Sequence, residues 1–186
     1  MRSPLLRTAF KPAFAAMTAG PVPRRAFSAS QQLQGSNVIH NPVRRPDDLH
    51  TYILLSSSAR APLLTLWTTN WCATCKVVSP LLHELVSSGV GEAEGGVHLC
   101  AVEYDCPDIM SGGLGMTYMI NGIPTLLSFD AGEPQTETKT ADARKLGDRA
   151  WLEEWIRNEA RRHGGRGGGA GASGGSIFSG LFKSFK

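Results

Sequence analysis

Hydrophobic and polar residues follow strand and helix periods through the middle of the chain, and both ends differ from it in composition, so the packed core is expected in the middle. Short apolar runs predict strands at 38–39, 63–68, 97–104 and 125–129, and a more polar strand at 135–140 forms a hairpin with the one before it. Helices are predicted from residue 46, from 72 to about 89, weakly over 106–119, and from about 148 to 162. The order β-α-β-α-β-α-β-β-α predicts an α/β fold, a central mixed sheet with helices on both faces.

The helix that starts at Cys72 has the clearest pattern. It follows directly on the strand predicted at 63–68 and ends near Gly89. Its apolar residues recur at helical spacing and form a stripe: Val77, Val78, Leu81, Leu82, Leu85 and Val86.

The amino end differs in composition from this domain. Residues 1–46 contain seven Arg or Lys and no Asp or Glu, and four apolar residues (Leu5, Leu6, Phe10 and Phe14) recur among the first of these bases. This pattern is typical of mitochondrial presequences, and the segment 24–28 resembles a matrix-processing site. We therefore expect a presequence over 1–27, a linker over 28–36 and a mitochondrial matrix location. A chloroplast address or a disordered basic tail is the alternative, while the apolar stretch at 13–17 is too short for a secretory signal.

The net charge of +3 comes from the two ends of the chain. Residues 1–27 contain five basic and no acidic side chains, so the remainder has a formal charge of −2. Without the three bases after residue 162 the charge becomes −5. A folded body this acidic lacks the basic surface that nucleic acid requires, so nucleic acid is excluded as a partner.

Two cysteines three residues apart lie at the predicted start of the helix, after Trp71. The free amides and the dipole of a helix amino end favour the thiolate, so Cys72 is the expected nucleophile. Cys75 lies one turn further on, within reach of Cys72 for a short-loop disulfide. We therefore expect Cys72 to attack a target disulfide and Cys75 to resolve the mixed disulfide.

Two other interpretations of this pair remain open. A purely structural disulfide is one, although such bonds are unusual in a reducing compartment. A zinc site is the other, but it needs two further ligands, and Cys100 and Cys106 do not have the spacing of a second CxxC pair. We expect no metal. Cys100 is predicted to be a buried apolar residue and Cys106 an incidental free thiol at a strand exit, with a regulatory or intermolecular role as the alternative for Cys106.

The motifs around the pair resemble those of the thioredoxin family. Residues 71–76 (Trp-Cys-Ala-Thr-Cys-Lys) are similar to the family's Trp-Cys-Gly-Pro-Cys-Lys, and Pro80 falls where the family has a helix-kinking proline. Residues 122–125 (Gly-Ile-Pro-Thr) resemble the family's cis-proline segment, with Tyr118 before it. The resemblance covers residues 37–162 and favours thioredoxin over a glutaredoxin-like enzyme.

The resemblance implies a thioredoxin fold and a role for three further residues. Pro124 would form a cis peptide opposite Cys72, the backbone of Ile123 would pair with an extended substrate segment, and Trp71 would line an apolar rim beside it. It also implies protein disulfide clients, a thioredoxin-reductase-type electron donor and no bound cofactor. We expect a monomer.

Two departures from the family favour a rival hypothesis. Ala73 and Thr74 replace Gly-Pro between the cysteines, and Leu66 stands where the family has a buried Asp that takes the proton of the second thiol. The rival is therefore a low-turnover interaction or assembly module on the same fold.

The carboxyl end, residues 163–186, is rich in glycine and ends in a short apolar and basic segment at 177–186. As a helix this segment would be amphipathic, with both lysines in its last turn, so peripheral membrane contact or docking in a partner's groove is a hypothesis for it. Disorder in solution is the alternative, because the segment is short and contains Gly180.

Overall fold

A computed structural model describes residues 35–164 of the chain. The expected presequence 1–27, most of the linker 28–36 and all but the start of the tail 163–186, including the segment 177–186, lie outside the described residues. No helix in the described part is long and apolar enough to cross a bilayer.

The domain is built on one five-stranded mixed sheet with the order β1-β3-β2-β4-β5. β2 lies at its centre, parallel to β3 and antiparallel to β4. β1 is parallel to β3 at one edge, and β5 is antiparallel to β4 at the other. The strands are β1 (Val38–Ile39), β2 (Leu63–Thr68), β3 (His98–Glu103), β4 (Thr125–Asp130) and β5 (Glu133–Pro134). The mixed sheet is confirmed.

Over residues 35–164 the chain also forms six α-helices and one 3-10 turn, of which the last two helices follow the last strand. They are α1 (Pro46–Ala59), α2 (Ala73–Ser87), the 3-10 turn (Glu92–Glu94), α3 (Pro107–Ser111), α4 (Leu114–Thr117), α5 (Ala143–Gly147) and α6 (Arg149–Gly164).

Alternation along the strands divides the core between the two faces of the sheet. Leu64, Leu66, Leu99 and Leu126 face α2, α5 and α6 in one buried cluster. The intervening strand residues face α1 and α3 in a second cluster, which contains Leu63, Trp67, Cys100, Val102, Leu127 and Phe129. Helices therefore cover both faces, as the element order predicts.

The predicted strand at 135–140 is wrong, although the hairpin before it forms. Ala131 (φ 52°) and Gly132 (φ 90°) make the two-residue turn, and β5 ends at Pro134. The Gln135 amide makes one more bond to β4, to the Ser128 carbonyl at 2.8 Å. The chain turns over 135–138, where the Trp155 indole donates to the Thr138 carbonyl at 3.1 Å. It returns to the sheet only at Thr140, which pairs with Leu126.

Side-chain caps set the boundaries near the carboxyl end of the domain. Asp142 accepts from the Arg144 amide at 2.9 Å and begins α5, a helix that the sequence pattern does not predict. Asp148 accepts from the Ala150 amide at 2.9 Å and caps α6, so the predicted start of the last helix is confirmed. Trp151 and Trp155 stack in α6 with ring centroids 6.4 Å apart, which is the packing role expected for them.

Candidate functional site

The turn between β2 and α2 positions both cysteines. The Cys72 amide donates to the Thr69 carbonyl at 3.3 Å, and the Asn70 amide donates to Asp105 Oδ2 at 2.9 Å. Asp105 therefore holds this turn from the end of β3. Sequence analysis missed this residue, because the contact joins positions 35 residues apart; an acidic residue at the exit of the neighbouring parallel strand is the only signal for it.

Cys72 is the N-cap residue of α2. Its extended backbone (φ −76°, ψ 112°) begins the helix, and its sulfur accepts the Cys75 amide at 3.1 Å. A sulfur bonded to a free amide at the positive end of a 15-residue helix is placed where negative charge is stabilised. The start of the helix is thus one residue later than predicted, and Cys72 remains at its amino end.

Cys75 lies behind Cys72, on the face of α2 that packs on the sheet. The two residues are joined as a disulfide, with Cα atoms 5.3 Å apart. Both are nearly enclosed, since Cys72 is 8% and Cys75 is 3% exposed. Cys75 shares its helix face with Val78 and Leu82, so its surroundings are apolar. Cys72 is therefore the sulfur nearer to solvent.

Ile123 and Pro124 lie at the same end of the sheet as this turn. Thr125 pairs with Trp67 near the end of β2, so the residues before Thr125 reach the level of segment 69–72. The Ile123–Pro124 peptide is cis. Pro124 is buried and Ile123 is half-buried. Trp71 is 75% exposed, which leaves its ring free for a ligand or partner.

Two contacts hold the segment that leads into the cis peptide. The Lys139 ammonium donates to the carbonyls of Tyr118 and Met119 at 3.1 and 2.8 Å, and the Thr125 hydroxyl donates to the Gly122 carbonyl at 2.6 Å. Tyr118 itself packs edge-on against Phe129. Lys139 has no sequence signal that would mark it for this role, because it lies in the polar stretch after β5.

Leu66 lies in the middle of β2 and is 2% exposed. It faces α2 and packs among apolar residues of that helix, Val78 and Leu82. Ala101, opposite it on β3, is also apolar. These two neighbouring strand positions therefore offer no carboxylate to the helix that contains Cys75.

The remaining cysteines lie apart from the pair and form no disulfide. Cys100 is 1% exposed on the opposite face of the sheet, and burial raises the pKa of its thiol. Cys106 is half-buried at the start of α3. In the described part of the chain no group of three His, Cys, Asp or Glu residues is arranged to hold a metal ion.

Comparison with known proteins places this site in a family. The family model for thioredoxin matches residues 48–154. The chain is 35% identical over 77 residues to a chloroplastic M-type thioredoxin of Triticum aestivum, a match that covers 41% of this chain and 39% of the wheat protein. It is 32% identical over 116 residues to the chloroplastic thioredoxin M5 of Oryza sativa, covering 62% of this chain and 60% of the rice protein. The matches thus span less than two thirds of these relatives.

A solved structure agrees at the level of the fold. A wild-type thioredoxin h of poplar superposes with a TM-score of 0.51 at 15% identity, covering 64% of this chain and 94% of the poplar chain. The β2-α2 turn with its two cysteines, the cis-proline segment beside it and the match over 48–154 lead to one conclusion. The chain belongs to the thioredoxin family.

Proposed function

We propose that this protein is a thiol–disulfide oxidoreductase that exchanges protein disulfides through Cys72 and Cys75. One observation carries the proposal: Cys72 caps the amino end of α2 and its sulfur accepts an amide there, while Cys75 is held directly behind it. Such a position favours the thiolate, which is the form that attacks a disulfide. Thioredoxin-family membership supports the same activity.

The reaction needs two exchanges. The Cys72 thiolate attacks one sulfur of a client disulfide, forms a mixed disulfide and expels the other client sulfur as a thiolate. The Cys75 thiolate then attacks Cys72 Sγ, which closes the Cys72–Cys75 disulfide and releases the second client thiolate. The structure has the paired form that ends this cycle. A reductase with a dithiol of its own would return the pair to the reduced state.

The client would bind across the turn. The backbone of Ile123 is proposed to pair with an extended client segment, Pro124 to set the direction of that backbone, and Trp71 to cover the client's apolar side chains. The 75% exposure of Trp71 supports this role, since tryptophan is a large, mostly apolar side chain that is enriched at interaction surfaces. A monomer suffices for every one of these contacts.

Location is part of the proposal. The acid-free, arginine-containing residues 1–27 support import into the mitochondrial matrix. The wheat and rice relatives are named as chloroplastic, which supports an organellar address in general and keeps the plastid as the alternative.

A second candidate function is an interaction or assembly module with slow turnover, held at a membrane surface by segment 177–186. Leu66 and Ala101 favour it, because these neighbouring positions on β2 and β3 offer no carboxylate to take the proton of the resolving thiol. An insulin-reduction assay decides between the two candidates.

We expect the full chain with dithiothreitol to reduce insulin well above the uncatalysed rate and Cys72→Ser to lose that excess, because no other thiol lies at a helix start beside a resolving partner. Cys106→Ser is the matched control and should keep the rate. Cys75→Ser should accumulate mixed disulfides with clients, visible as bands that a reductant removes on gels. A wild-type rate equal to that of Cys72→Ser would refute the oxidoreductase proposal and leave the assembly module.

A further inference from the structure

Cys75 has to lose a proton before it can attack, and its surroundings offer no obvious acceptor. The side chain is 3% exposed and shares its helix face with Val78 and Leu82. Leu66, across from that face on β2, is equally enclosed. Only the thiolate is nucleophilic, and an apolar environment opposes its formation. A route for the proton must therefore begin at this helix face.

A cavity of about 360 Å³ lies between α2 and the β1–β3 edge of the sheet. Leu66, Leu99 and Ala101 line it from the sheet, and Ser79, Leu82 and His83 line it from the helix. Since water occupies about 30 Å³ per molecule in the liquid, the cavity has room for several waters. Its hydroxyl and imidazole groups supply the polar partners that such waters need.

The polar residues of the cavity continue the line of Cys75 along α2. Cys75, Ser79 and His83 follow one another at four-residue intervals, so they lie on one helix face about 6 Å apart along the axis. Among residues 35–164 the Ser79 hydroxyl has no hydrogen-bond partner. His83 bonds through Nδ1 to the Ser87 hydroxyl at 3.3 Å, which leaves Nε2 without a partner in this part of the chain.

The other titratable groups on the cavity wall are already engaged. His40 Nε2 is bonded to His98 Nδ1 at 2.9 Å, and its ring stacks on Tyr52. Cys100 is 1% exposed, and its side chain faces the opposite cluster. The nearby Glu84, next to His83, is paired with Arg149 at 2.8 Å. Among the titratable groups of the cavity wall, His83 is thus the one whose ring has a nitrogen not engaged by the described residues.

We propose that the cavity is a water-filled proton exit for Cys75, in which Ser79 passes the proton of the resolving thiol to His83 and solvent. The inference rests on the proposed function, since it concerns the second exchange alone. The Cys75 S–H gives its proton to water held by the Ser79 hydroxyl, and the proton passes through the cavity to His83 Nε2. The electron pair left on Cys75 attacks Cys72 Sγ, and the client leaves as a thiolate. Ser79 and His83 are positioning residues that never touch the reacting sulfurs of the client.

The two exchanges can be timed separately with the aromatic disulfide of thionitrobenzoate, whose released thiolate is coloured. The reduced full chain carrying Cys106→Ser releases one equivalent of thionitrobenzoate when Cys72 is modified. It releases a second equivalent when Cys75 resolves the mixed disulfide. We expect Ser79→Ala to slow the second phase about tenfold at neutral pH, below the 10²–10⁴-fold range of direct general acid–base groups, and to leave the first unchanged. His83→Gln should slow the second phase severalfold, and Ser88→Ala, at the end of the same helix and outside the cavity lining, should change neither phase.

Two further measurements separate a proton route from a packing effect. The Ser79→Ala deficit should shrink as pH rises, since hydroxide then removes the proton directly. Ala101→Asp, which places a carboxylate on the same wall at a half-buried position, should restore most of the second-phase rate in the Ser79→Ala chain. Three results would overturn the proton exit and leave the oxidoreductase proposal standing. They are an unchanged second phase in both the Ser79→Ala and His83→Gln chains, equal slowing of both phases, and a rate deficit that is constant with pH. Absence of any second phase in the wild-type chain would instead refute Cys75 as the resolving thiol.

Discussion

Cys72 and Cys106 occupy the same kind of position and have opposite surroundings. Each is the N-cap residue of a helix, Cys72 of α2 and Cys106 of α3. The sulfur of Cys72 accepts an amide, whereas the thiol of Cys106 donates to Glu103 Oε2 at 3.4 Å. Partial burial, followed by the hydrogen bond and negative charge of Glu103, raises the pKa of Cys106, and the neighbouring Arg44 offsets this only in part. A helix start alone therefore does not make a reactive thiol.

We predict that Cys106 reacts slowly with iodoacetamide at mildly alkaline pH and that Glu103→Gln speeds the reaction severalfold. The substitution removes the carboxylate that raises the pKa of Cys106, while the nearby Arg44 cation stays and favours the thiolate. The rate is measured by mass spectrometry in a Cys72→Ser, Cys75→Ser chain.

Asp108→Asn is the matched control, because it removes a carboxylate from the first turn of the same helix without a hydrogen bond to Cys106. Equal rates in the wild-type and Glu103→Gln chains would show that Glu103 does not govern this thiol.

At the level of secondary structure, a histidine pair holds the end of β1 against β3. His40 follows β1, His98 begins β3, and their ring nitrogens are 2.9 Å apart. His40 also stacks on Tyr52 of α1 at 4.3 Å, so the pair joins the sheet edge to a helix. Burial lowers the pKa of His98 to about 4, with the charge of His40 as a smaller cause, and burial lowers the pKa of His40. Both rings are therefore neutral in the folded protein at neutral pH.

We predict that the domain loses stability as pH falls from 6.5 to 4. In the unfolded chain a histidine takes up its proton near pH 6.5, whereas folded His98 resists protonation down to about pH 4. The stabilisation is complete above pH 6.5, and the loss from His98 amounts to up to about 3 kcal/mol at about 1.36 kcal/mol per unit. Urea unfolding at several pH values measures it.

A His98→Asn chain should show a flatter dependence over the same interval, even if it is less stable overall. A slope between pH 6.5 and 4 identical to that of the wild-type chain would contradict the assignment to this pair.

The element boundaries show what local pattern determines. The predictions hold for the strands at 38–39 and 63–68 and for the helix after Cys72. In these segments the hydrophobic period, the residue composition and the capping residues all favour the same element. Segment 106–119 forms two short helices, since Gly113 takes a positive φ of 67° and interrupts it. The predicted strand 135–140 does not form, because the chain turns away from β4 after Gln135, and Trp155, distant in sequence, then bonds the Thr138 carbonyl.

The residues of the site also fall into those that local sequence predicts and those that only distant contacts determine. Cys72, Cys75 and the cis-proline segment are marked by local motifs, so sequence placed them. Asp105 and Lys139 hold the site through contacts 35 and 20 or more residues away, and no periodicity encodes such contacts. His98 carried no partner pattern either, because His40 lies 58 residues before it.

For the whole molecule, the separation of charge between the amino end and the domain leads to a prediction about import. Residues 1–36 fused to a fluorescent protein should direct it to mitochondria, because an arginine-containing, acid-free leader is typical of mitochondrial presequences. The imported full chain should begin near Ser28, as N-terminal sequencing would show.

Arg2→Glu with Arg7→Glu is the matched variant, since it reverses the charge at the start of the leader and leaves its length unchanged. It should leave the fusion in the cytosol. Fluorescence in plastids with the wild-type leader would assign the chain to that organelle instead.

The two edge strands of the sheet affect how readily the protein aggregates at high concentration. β1 and β5 contain two residues each, and β5 ends in proline. Copies of a protein can pair through exposed edge strands and begin to aggregate. Short edge strands and edge strands that contain proline suppress this pairing. The domain thus has little backbone to offer another copy of itself, so it should stay dispersed in a crowded compartment through repeated cycles of oxidation and reduction.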